Sequence, residues 1–230
     1  MKIRSRDALY AAVCYADIFD YPLTEEELFV WIPFAVGFSR SHLAILQGET
    51  LRKSIYRTPT DGVAYYSQRR GGRLVATRTK RAKWSVMKWA RAQRAGQFLR
   101  IIPTIRLVGV TGGLARSNAK REDDIDLFII TTPKTLWVTR IMATILLDAL
   151  HLRRRPGQHH VKDLICLNMF MSEDGLAVPT IERNLFTAHE VLLMSPMWER
   201  GDTYRTFLFA NRWVRRFLPN AWKKRASQAP

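Results

Sequence analysis

Two carboxylates and two glycines form the part of this sequence best suited to chemistry. Asp124 and Asp126 are separated by one apolar residue, and on a β-strand residues two apart project to the same face, roughly 6–7 Å apart along the chain. Two carboxylates side by side repel each other unless a cation joins them, so this spacing predicts a divalent metal site. Gly112 and Gly113 have no side chains that would keep the backbone away from a polyphosphate.

The strands and helices predicted around these residues would hold the glycines and the aspartates in fixed positions. Apolar runs of strand length, Ile105–Val110 and Ile125–Thr131, flank a loop over residues 112–118 that enters a short helix. A long helix is predicted over 136–152 and a third strand over 164–171. The order of strand, glycine pair, short helix and strand with two acids is suited to binding phosphate and metal together.

At these residues the sequence resembles the DNA polymerase beta-like nucleotidyltransferase superfamily. The signature of that superfamily is an apolar residue, Gly, Gly or Ser, a spacer, and then Asp, apolar, Asp or Glu, apolar. Here it is Thr111-Gly112-Gly113, ten residues, and Asp124-Ile125-Asp126-Leu127. Thr111 is a departure from the pattern, and Gly113 lacks the phosphate-contacting hydroxyl of relatives with Ser there. The resemblance covers about residues 105–171, and it implies an α+β fold with a polymerase beta-like palm, a mixed sheet with flanking helices.

The resemblance also implies roles for individual residues. Asp124 and Asp126 would bind Mg²⁺ or Mn²⁺, and the two glycines would hold the triphosphate of an NTP substrate. Three residues of the intervening loop could also contact phosphate, although nothing in the family pattern fixes them: Arg116, Ser117 and Lys120.

A third acidic residue is expected on a later strand, because active polymerising members use one as a metal ligand and to deprotonate the attacking hydroxyl. The centre of the predicted strand over 164–171 is Asn168, which can bind a metal through its carbonyl but cannot accept a proton. Asp163 at the entrance of that strand is the other candidate. Minimal members of the superfamily manage with two carboxylates. The predicted catalytic set is therefore Asp124, Asp126, Asn168 and Asp163, and it favours slow or protein-directed transfer over processive polymerisation.

The first third of the chain is predicted to form a small winged-helix-like module. A helix over residues 6–19 precedes a capping box, Thr24 with Glu27, that starts a second helix. A third helix over 41–53 and a hairpin of strands at 54–57 and 63–67 follow, which is the order of a winged helix. The predicted domains are this module (1–76), a basic connecting helix (77–103) and the nucleotidyltransferase domain with mostly helical C-terminal residues (104–230).

The charge of the chain favours an anionic partner. There are 37 Lys and Arg residues against 20 Asp and Glu, which gives a formal net charge of +17. Residues 62–121 contain neither Asp nor Glu. Such a field attracts polyanions and disfavours cationic small substrates such as aminoglycosides. We expect this segment to bind nucleic acid, with RNA favoured, through Arg69, Arg70, Arg78, Lys80, Arg81, Lys83, Lys88 and Arg91.

The remaining features of the sequence favour a cytoplasmic enzyme. We expect no secretory signal and no membrane span, because the longest apolar stretch is interrupted by Arg140 and Asp148. Cys14 and Cys166 lie in apolar runs and are expected to be buried hydrophobes. The leading hypothesis is transfer of NMP from an NTP to a hydroxyl of nucleic acid. The alternatives are an antitoxin-like enzyme that nucleotidylates protein, and a winged-helix nucleic-acid-binding protein with weak chemistry.

Overall fold

A computed structural model describes residues 4–34, 39 and 55–228, in an α+β fold that divides into two compact units. The first unit contains residues 1–80, 183–192 and 212–228, and the second contains 81–182 and 193–211. The predicted helix over 41–53 lies outside the described residues. In the part of the chain that is described, every helix is too short or too polar to cross a bilayer.

The two described helices before the hairpin lie close to their predicted ranges, but the first strand of the hairpin spans 56–60 instead of 54–57 and the connecting helix spans 72–99 instead of 77–103. The capping box is confirmed: the backbone N–H of Glu27 donates to Thr24 Oγ1, and Glu27 Oε2 accepts from the Thr24 N–H. In chain order the elements are α1 (Ser5–Asp17), β1 (Leu23–Thr24), α2 (Glu25–Trp31), β2 (Tyr56–Thr60), β3 (Val63–Ser67) and α3 (Gly72–Leu99).

The second half of the chain contains a strand that the sequence did not predict. The C-terminal residues were expected to be mostly helical, but Ser195–Glu199 forms a strand. Pro219 is the first residue of a helix, a position that proline favours. The elements are β4 (Ile105–Val110), α4 (Gly112–Ala115), β5 (Ile125–Thr131), α5 (Leu136–Ala149), β6 (Ile165–Ser172), α6 (Leu185–Leu193), β7 (Ser195–Glu199), α7 (Thr203–Ala210) and α8 (Pro219–Gln228).

The first unit has a three-stranded antiparallel sheet in the order β1-β3-β2. Its core is formed by apolar residues of α1, α2 and the sheet, including Leu9, Leu28 and Tyr66. Helices from the end of the chain complete it: the ring of His189 on α6 stacks on Tyr15, and the side chain of Asn220 on α8 donates to the Phe29 carbonyl. This unit is therefore assembled from distant parts of the sequence, unlike the predicted module over 1–76.

The second unit is built on a mixed four-stranded sheet in the order β6-β5-β4-β7. The β4 strand is antiparallel to both of its neighbours, whereas β5 and β6 are parallel. Buried residues of the sheet pack against apolar residues of α3 and α5, among them Ala92, Leu99 and Leu147. The Trp198 indole of β7 also donates to the Gly96 carbonyl of α3. Because β4 and β5 are almost fully buried, the turn between them is held on a rigid support.

Candidate metal and nucleotide site

The turn after β4 brings the backbone of the glycine pair close to Asp126. Gly112 has φ +65°, in the left-handed region that favours glycine, and the Thr111 N–H donates to the Asp126 carbonyl at 3.0 Å. A Cβ added at Gly112 would lie 2.8 Å from Asp126 Oδ2, closer than carbon atoms tolerate. A Cβ at Gly113 would meet the Cα of Ala119 at 3.5 Å, an ordinary contact. The left-handed backbone and the contact with Asp126 therefore both favour glycine at Gly112, whereas neither applies at Gly113.

Three side chains form a row across one face of the sheet. Asp126 on β5 pairs in register with Cys166 on β6, and Arg153 bridges in parallel with Ile165, so Arg154 follows in the same row as Cys166. A ligand atom from each of Asp124, Asp126 and Cys166 lies within 4.8 Å of the other two. The sheet therefore gathers two carboxylates and one thiol at the start of β5 and β6.

Arg154 closes this group by pairing with the other carboxylate. Its Nη1 donates to Asp124 Oδ2 at 2.7 Å, and the hydrogen bond to Asp124 raises the pKa of the guanidinium above its ordinary value. The Arg154 side chain remains 44% exposed, whereas that of Asp124 is only 15% exposed. The arginine can accordingly leave Asp124 when another cation approaches from solvent.

The protonation of the group reflects its crowded negative charge. Burial, and then the nearby charge of Asp124, raise the pKa of Asp126 above its usual value. Burial raises the pKa of the Cys166 thiol to about 11, with a further contribution from the two carboxylates. A bound divalent cation would reduce the repulsion between two carboxylates this close together.

The two residues expected to supply the third ligand lie elsewhere. Asn168 is exposed and falls at the β-bulge of β6, where the register passes from Leu127↔Leu167 to Phe128↔Met169. As the extra residue of the bulge it has no pairing partner on β5, and Cys166 instead stands opposite Asp126. The third position of the group is therefore a thiol.

Asp163 is engaged in an ion pair with the long helix. Its Oδ1 accepts from Nζ of Lys88 at 2.7 Å, and Arg91 lies 3.6 Å from its Oδ2. The same Lys88 ammonium donates to the Asp123 carbonyl at 2.6 Å and is only 2% exposed. This contact fastens α3 to the loops that precede β5 and β6, so Asp163 supports the site rather than joining it.

The predicted phosphate contacts of the loop after α4 differ in their accessibility. Ser117 and Lys120 are exposed, and Ser117 has a left-handed backbone with φ +56°. Arg116 is partly exposed at the end of α4. The loop is shaped by its own contacts, since the Lys120 N–H donates to Asp123 Oδ2 and the Asn118 N–H donates to the Gly113 carbonyl.

The structure removes several cations from the predicted nucleic-acid surface. Lys88 is buried, and Arg81 is 8% exposed with its guanidinium bound to Asn118 Oδ1. Arg78 pairs with Glu27, and Arg69 pairs with Asp17 and Asp20, so these charges are already compensated within the protein. The four other predicted contacts, Arg70, Lys80, Lys83 and Arg91, have exposed side chains.

The donor atoms present fit a divalent cation and a polyphosphate. The carboxylates offer oxygen ligands, and the Gly112 backbone can approach Asp126 closely because it carries no Cβ. The hydroxyl oxygen of Thr111 is buried and has no hydrogen-bond partner among the described residues. A buried hydroxyl without a partner is costly, and a ligand at the turn could satisfy it.

Two residues of the group, Cys166 and Arg154, were not predicted as site residues. The segment Leu164–Phe170 is apolar at nearly every position, so alternation cannot indicate which side chains face the site. Arg154 looks like one of three basic residues after a helix, and only its hydrogen bond to Ile165 beside β6 directs it to the carboxylates. Comparison with protein-family models, curated proteins and solved structures gives no match to this chain.

Proposed function

We propose that this protein is a metal-dependent nucleotidyltransferase that transfers NMP from an NTP to a hydroxyl of a nucleic acid, with RNA as the favoured acceptor. The observation that carries the proposal is the close approach of the Gly112 turn to the Asp124–Asp126 pair. A backbone without a Cβ beside two carboxylates can accept a metal–polyphosphate at that point, whereas a site for metal alone would not require the glycine.

The fold of the second unit supports the same assignment. Within it a strand, a glycine turn with a short helix, a second strand with Asp-x-Asp, a helix and a parallel strand follow each other in the order expected of a polymerase beta-like palm. In the first unit, two helices and an antiparallel hairpin with a third short strand are compatible with a winged-helix-like module. We include both fold assignments in the proposal.

In the proposed reaction, Asp124 and Asp126 would hold the cation and the glycine turn would hold the triphosphate. A bound divalent cation would offset the charge that develops on the phosphate oxygens as the acceptor hydroxyl, losing its proton, bonds to the α-phosphorus and the α–β phosphoanhydride bond breaks to release pyrophosphate. Arg154 covers Asp124 until the cation arrives and is exposed enough to swing away. Lys88, fixed between Asp163 and the Asp123 carbonyl, keeps the loop carrying the carboxylates in position.

Transfer of a single nucleotide fits this residue set better than rapid polymerisation. The third member of the Asp124–Asp126–Cys166 group is a thiol, which does not replace a carboxylate as proton acceptor at neutral pH. Without that base, deprotonation of the attacking hydroxyl relies on solvent or on Asp126, which slows the chemical step. A protein hydroxyl as acceptor is the second outcome that the following experiment can return.

The proposal is tested by label transfer from each α-labelled NTP to a mixture of tRNA, other RNA and protein, with Mg²⁺ or Mn²⁺. We expect labelled RNA with the wild-type protein and at least a roughly hundredfold loss in Asp124→Asn and Asp126→Asn. Asp123→Asn is the matched control, because the side chain of this neighbouring acid lies outside the Asp124–Asp126–Cys166 group and accepts the Lys120 N–H, a bond that the amide preserves.

Each outcome of this experiment has a defined meaning. Labelling that survives both substitutions would show that these carboxylates are not the catalytic pair, and no labelling with any acceptor would overturn the enzyme assignment. Labelled protein in place of RNA would retain the chemistry and replace the acceptor. Salt-sensitive RNA binding without any labelling would favour a nucleic-acid-binding protein that has lost the reaction.

A further inference from the structure

The Cys166 thiol gives the candidate cation site an unusual set of ligands, two carboxylates and one sulfur. Cys166 stands directly opposite Asp126 in the parallel ladder, and its sulfur lies within 4.8 Å of carboxylate oxygens of both Asp124 and Asp126. Because its sulfur lies this close to both carboxylates, the thiol is directed toward them and not into the core. The expectation that Cys166 is a buried hydrophobe therefore does not describe its surroundings.

Two oxygen ligands and one sulfur ligand do not suit magnesium. Magnesium requires near-octahedral oxygen coordination and retains its water, and it gains nothing from a thiol. Zinc and cobalt accept mixed sulfur and oxygen ligands in tetrahedral sites, with bond lengths of roughly 2.0–2.3 Å that bring ligand atoms to roughly 3.3–3.8 Å from each other. The three ligand atoms lie within 4.8 Å of one another on partly exposed side chains, so small rotations suffice to reach that range. A fourth position would remain for water or a phosphate oxygen.

We propose that Cys166 is the third metal ligand and that this site takes a thiophilic divalent cation, of which zinc is the representative, in preference to magnesium. The inference rests on the proposed function only for the location of the cation. When the cation binds, a metal–sulfur bond forms, the S–H bond breaks and the thiol proton passes to solvent, with no change of oxidation state. The cation also replaces the Arg154 guanidinium on Asp124.

Cobalt(II) titration of the full-length protein without nucleotide tests this assignment directly. A thiolate bound to cobalt gives an intense ligand-to-metal absorption in the near ultraviolet that carboxylates alone do not give. We expect this band to saturate at one cobalt per chain and to be abolished by added zinc but not by an equal concentration of magnesium. Cys166→Ser should lose the band and weaken cobalt binding at least about tenfold, because a hydroxyl is a poor replacement for thiolate.

The second cysteine provides the matched control. Cys14 lies on α1 in the first unit, outside the Asp124–Asp126–Cys166 group, and Cys14→Ser should retain the full band. Circular dichroism of both variants verifies that the fold is kept. A wild-type protein without the band, or a band that persists in Cys166→Ser, would overturn the proposal.

The outcome is independent of whether the protein transfers nucleotides. A cobalt–thiolate band with no label transfer would leave Cys166 as a ligand and refute the enzymatic proposal. Label transfer without the band would keep the enzyme and refute the thiolate ligand. Cys166→Asp supplies a further discriminating readout: it should lose the band and bind manganese more tightly than the wild type, because a third carboxylate replaces the thiol.

Discussion

At the scale of single residues, the two adjacent glycines have different reasons to be glycine. Gly112 combines a left-handed backbone with a Cβ position only 2.8 Å from Asp126 Oδ2, whereas the Cβ position at Gly113 has ordinary clearance from Ala119. The family-like pattern treats the two as a pair, but the geometry separates them. A serine at Gly113, as in many members of the superfamily that the sequence resembles, would fit without displacing the backbone.

We predict that Gly112→Ala impairs the site and that Gly113→Ala does not. The first substitution forces an alanine into a left-handed conformation, which costs about 1–2 kcal/mol, and pushes the Asp126 carboxylate out of the row. Manganese affinity, measured by calorimetry, should fall at least about tenfold in Gly112→Ala and by less than about twofold in Gly113→Ala. Equal losses in the two variants would mean that the close approach to Asp126 has no part in binding.

Arg154 is the second residue whose role follows from its immediate contacts. Its guanidinium occupies one oxygen of Asp124 at 2.7 Å, so a cation must displace it. We predict that Arg154→Gln raises the manganese affinity of the nucleotide-free protein by about tenfold, or about 1.4 kcal/mol, because a competing positive charge is removed.

The neighbouring Arg153 is the control for charge removal in general. It pairs with Asp148, which is not part of the metal group, and Arg153→Gln should leave manganese affinity within about twofold of the wild type. If both substitutions raise the affinity equally, the gain comes from net charge and not from release of Asp124. If Arg154→Gln weakens binding, the arginine supports the cation instead of competing with it.

At the scale of secondary-structure elements, the sequence was most informative where periodicity and burial coincide. The β4 and β5 strands have their predicted bounds because each is apolar and buried at nearly every position, with one charged residue apiece, Arg106 and Asp126. The β7 strand, SPMWE, was missed because it contains proline and is preceded by a helical apolar run, and only its hydrogen bonds to β4 make it a strand. Cys166 was missed for a related reason, since the register that places it opposite Asp126 is a tertiary property.

The start of α3 is tied to α2 by a partly buried ion pair that makes the first unit sensitive to acid. Burial raises the pKa of Glu27, but the hydrogen bonds and charge of Arg78 outweigh it and hold that pKa below its ordinary value of 4.5. A carboxylate with a lowered folded-state pKa contributes stability above its unfolded-state pKa, and this contribution is lost as pH falls through the folded-state value.

We therefore predict that Glu27→Gln lowers the free energy of unfolding by about 1.5–3 kcal/mol at neutral pH, and that its difference from the wild type shrinks below pH 4.5. Urea unfolding at several pH values measures this difference. Glu25→Gln, which changes an exposed acid in the same helical turn, should lower stability by less than about 1 kcal/mol. A difference for Glu27→Gln that stays constant down to acid pH would exclude the ion pair as its source.

The long helix α3 carries two kinds of cationic side chain: some form ion pairs within the protein, and others are exposed and available to a partner. Lys88 is buried against Asp163, and Arg91 also lies 3.6 Å from that carboxylate. Lys83 and Arg94 are exposed, and their spacing brings them onto one side of the helix. The sequence alone treated all of these charges as one basic face, because charge counts do not reveal which side chains are already paired.

We predict opposite effects for the two classes of residue. Lys88→Met should lower the free energy of unfolding by about 3–5 kcal/mol, because Asp163 loses its buried partner. The double substitution of Lys83 and Arg94 by Gln should leave stability nearly unchanged but weaken RNA binding and reduce the slope of log K against log salt by about one unit for each lost phosphate contact. RNA affinity that is unaffected by the double substitution would remove this side of α3 from the proposed interface.

At the scale of the whole molecule, two properties matter: the formal net charge of +17 and the division of the chain into two units. A strongly positive chain attracts RNA over a Debye length regardless of which residues make the final contacts, so binding alone does not identify an interface. The sequence suggested an N-terminal module that is complete by residue 76. The structure instead includes residues 183–192 and 212–228 in that unit, and composition could not reveal this because both segments are ordinary amphipathic helices.

The composition of the first unit predicts that a fragment of residues 1–103 does not fold cooperatively. It would lack His189, which stacks on the Tyr15 ring with centroids 3.8 Å apart, and Asn220, which caps the Phe29 carbonyl at 2.8 Å. The apolar faces of α1 and α2 would then be exposed to water at a cost of roughly 25 cal/mol for each Å². Thermal unfolding followed by circular dichroism should give a broad, weak transition for the fragment and a sharp one for the full chain.

In the full chain, His189→Ala should lower the unfolding temperature by several degrees, whereas substitution of the exposed His160 by Ala should not. A fragment that unfolds as sharply as the intact protein would mean that the N-terminal residues form a domain without their C-terminal helices, as the sequence first suggested.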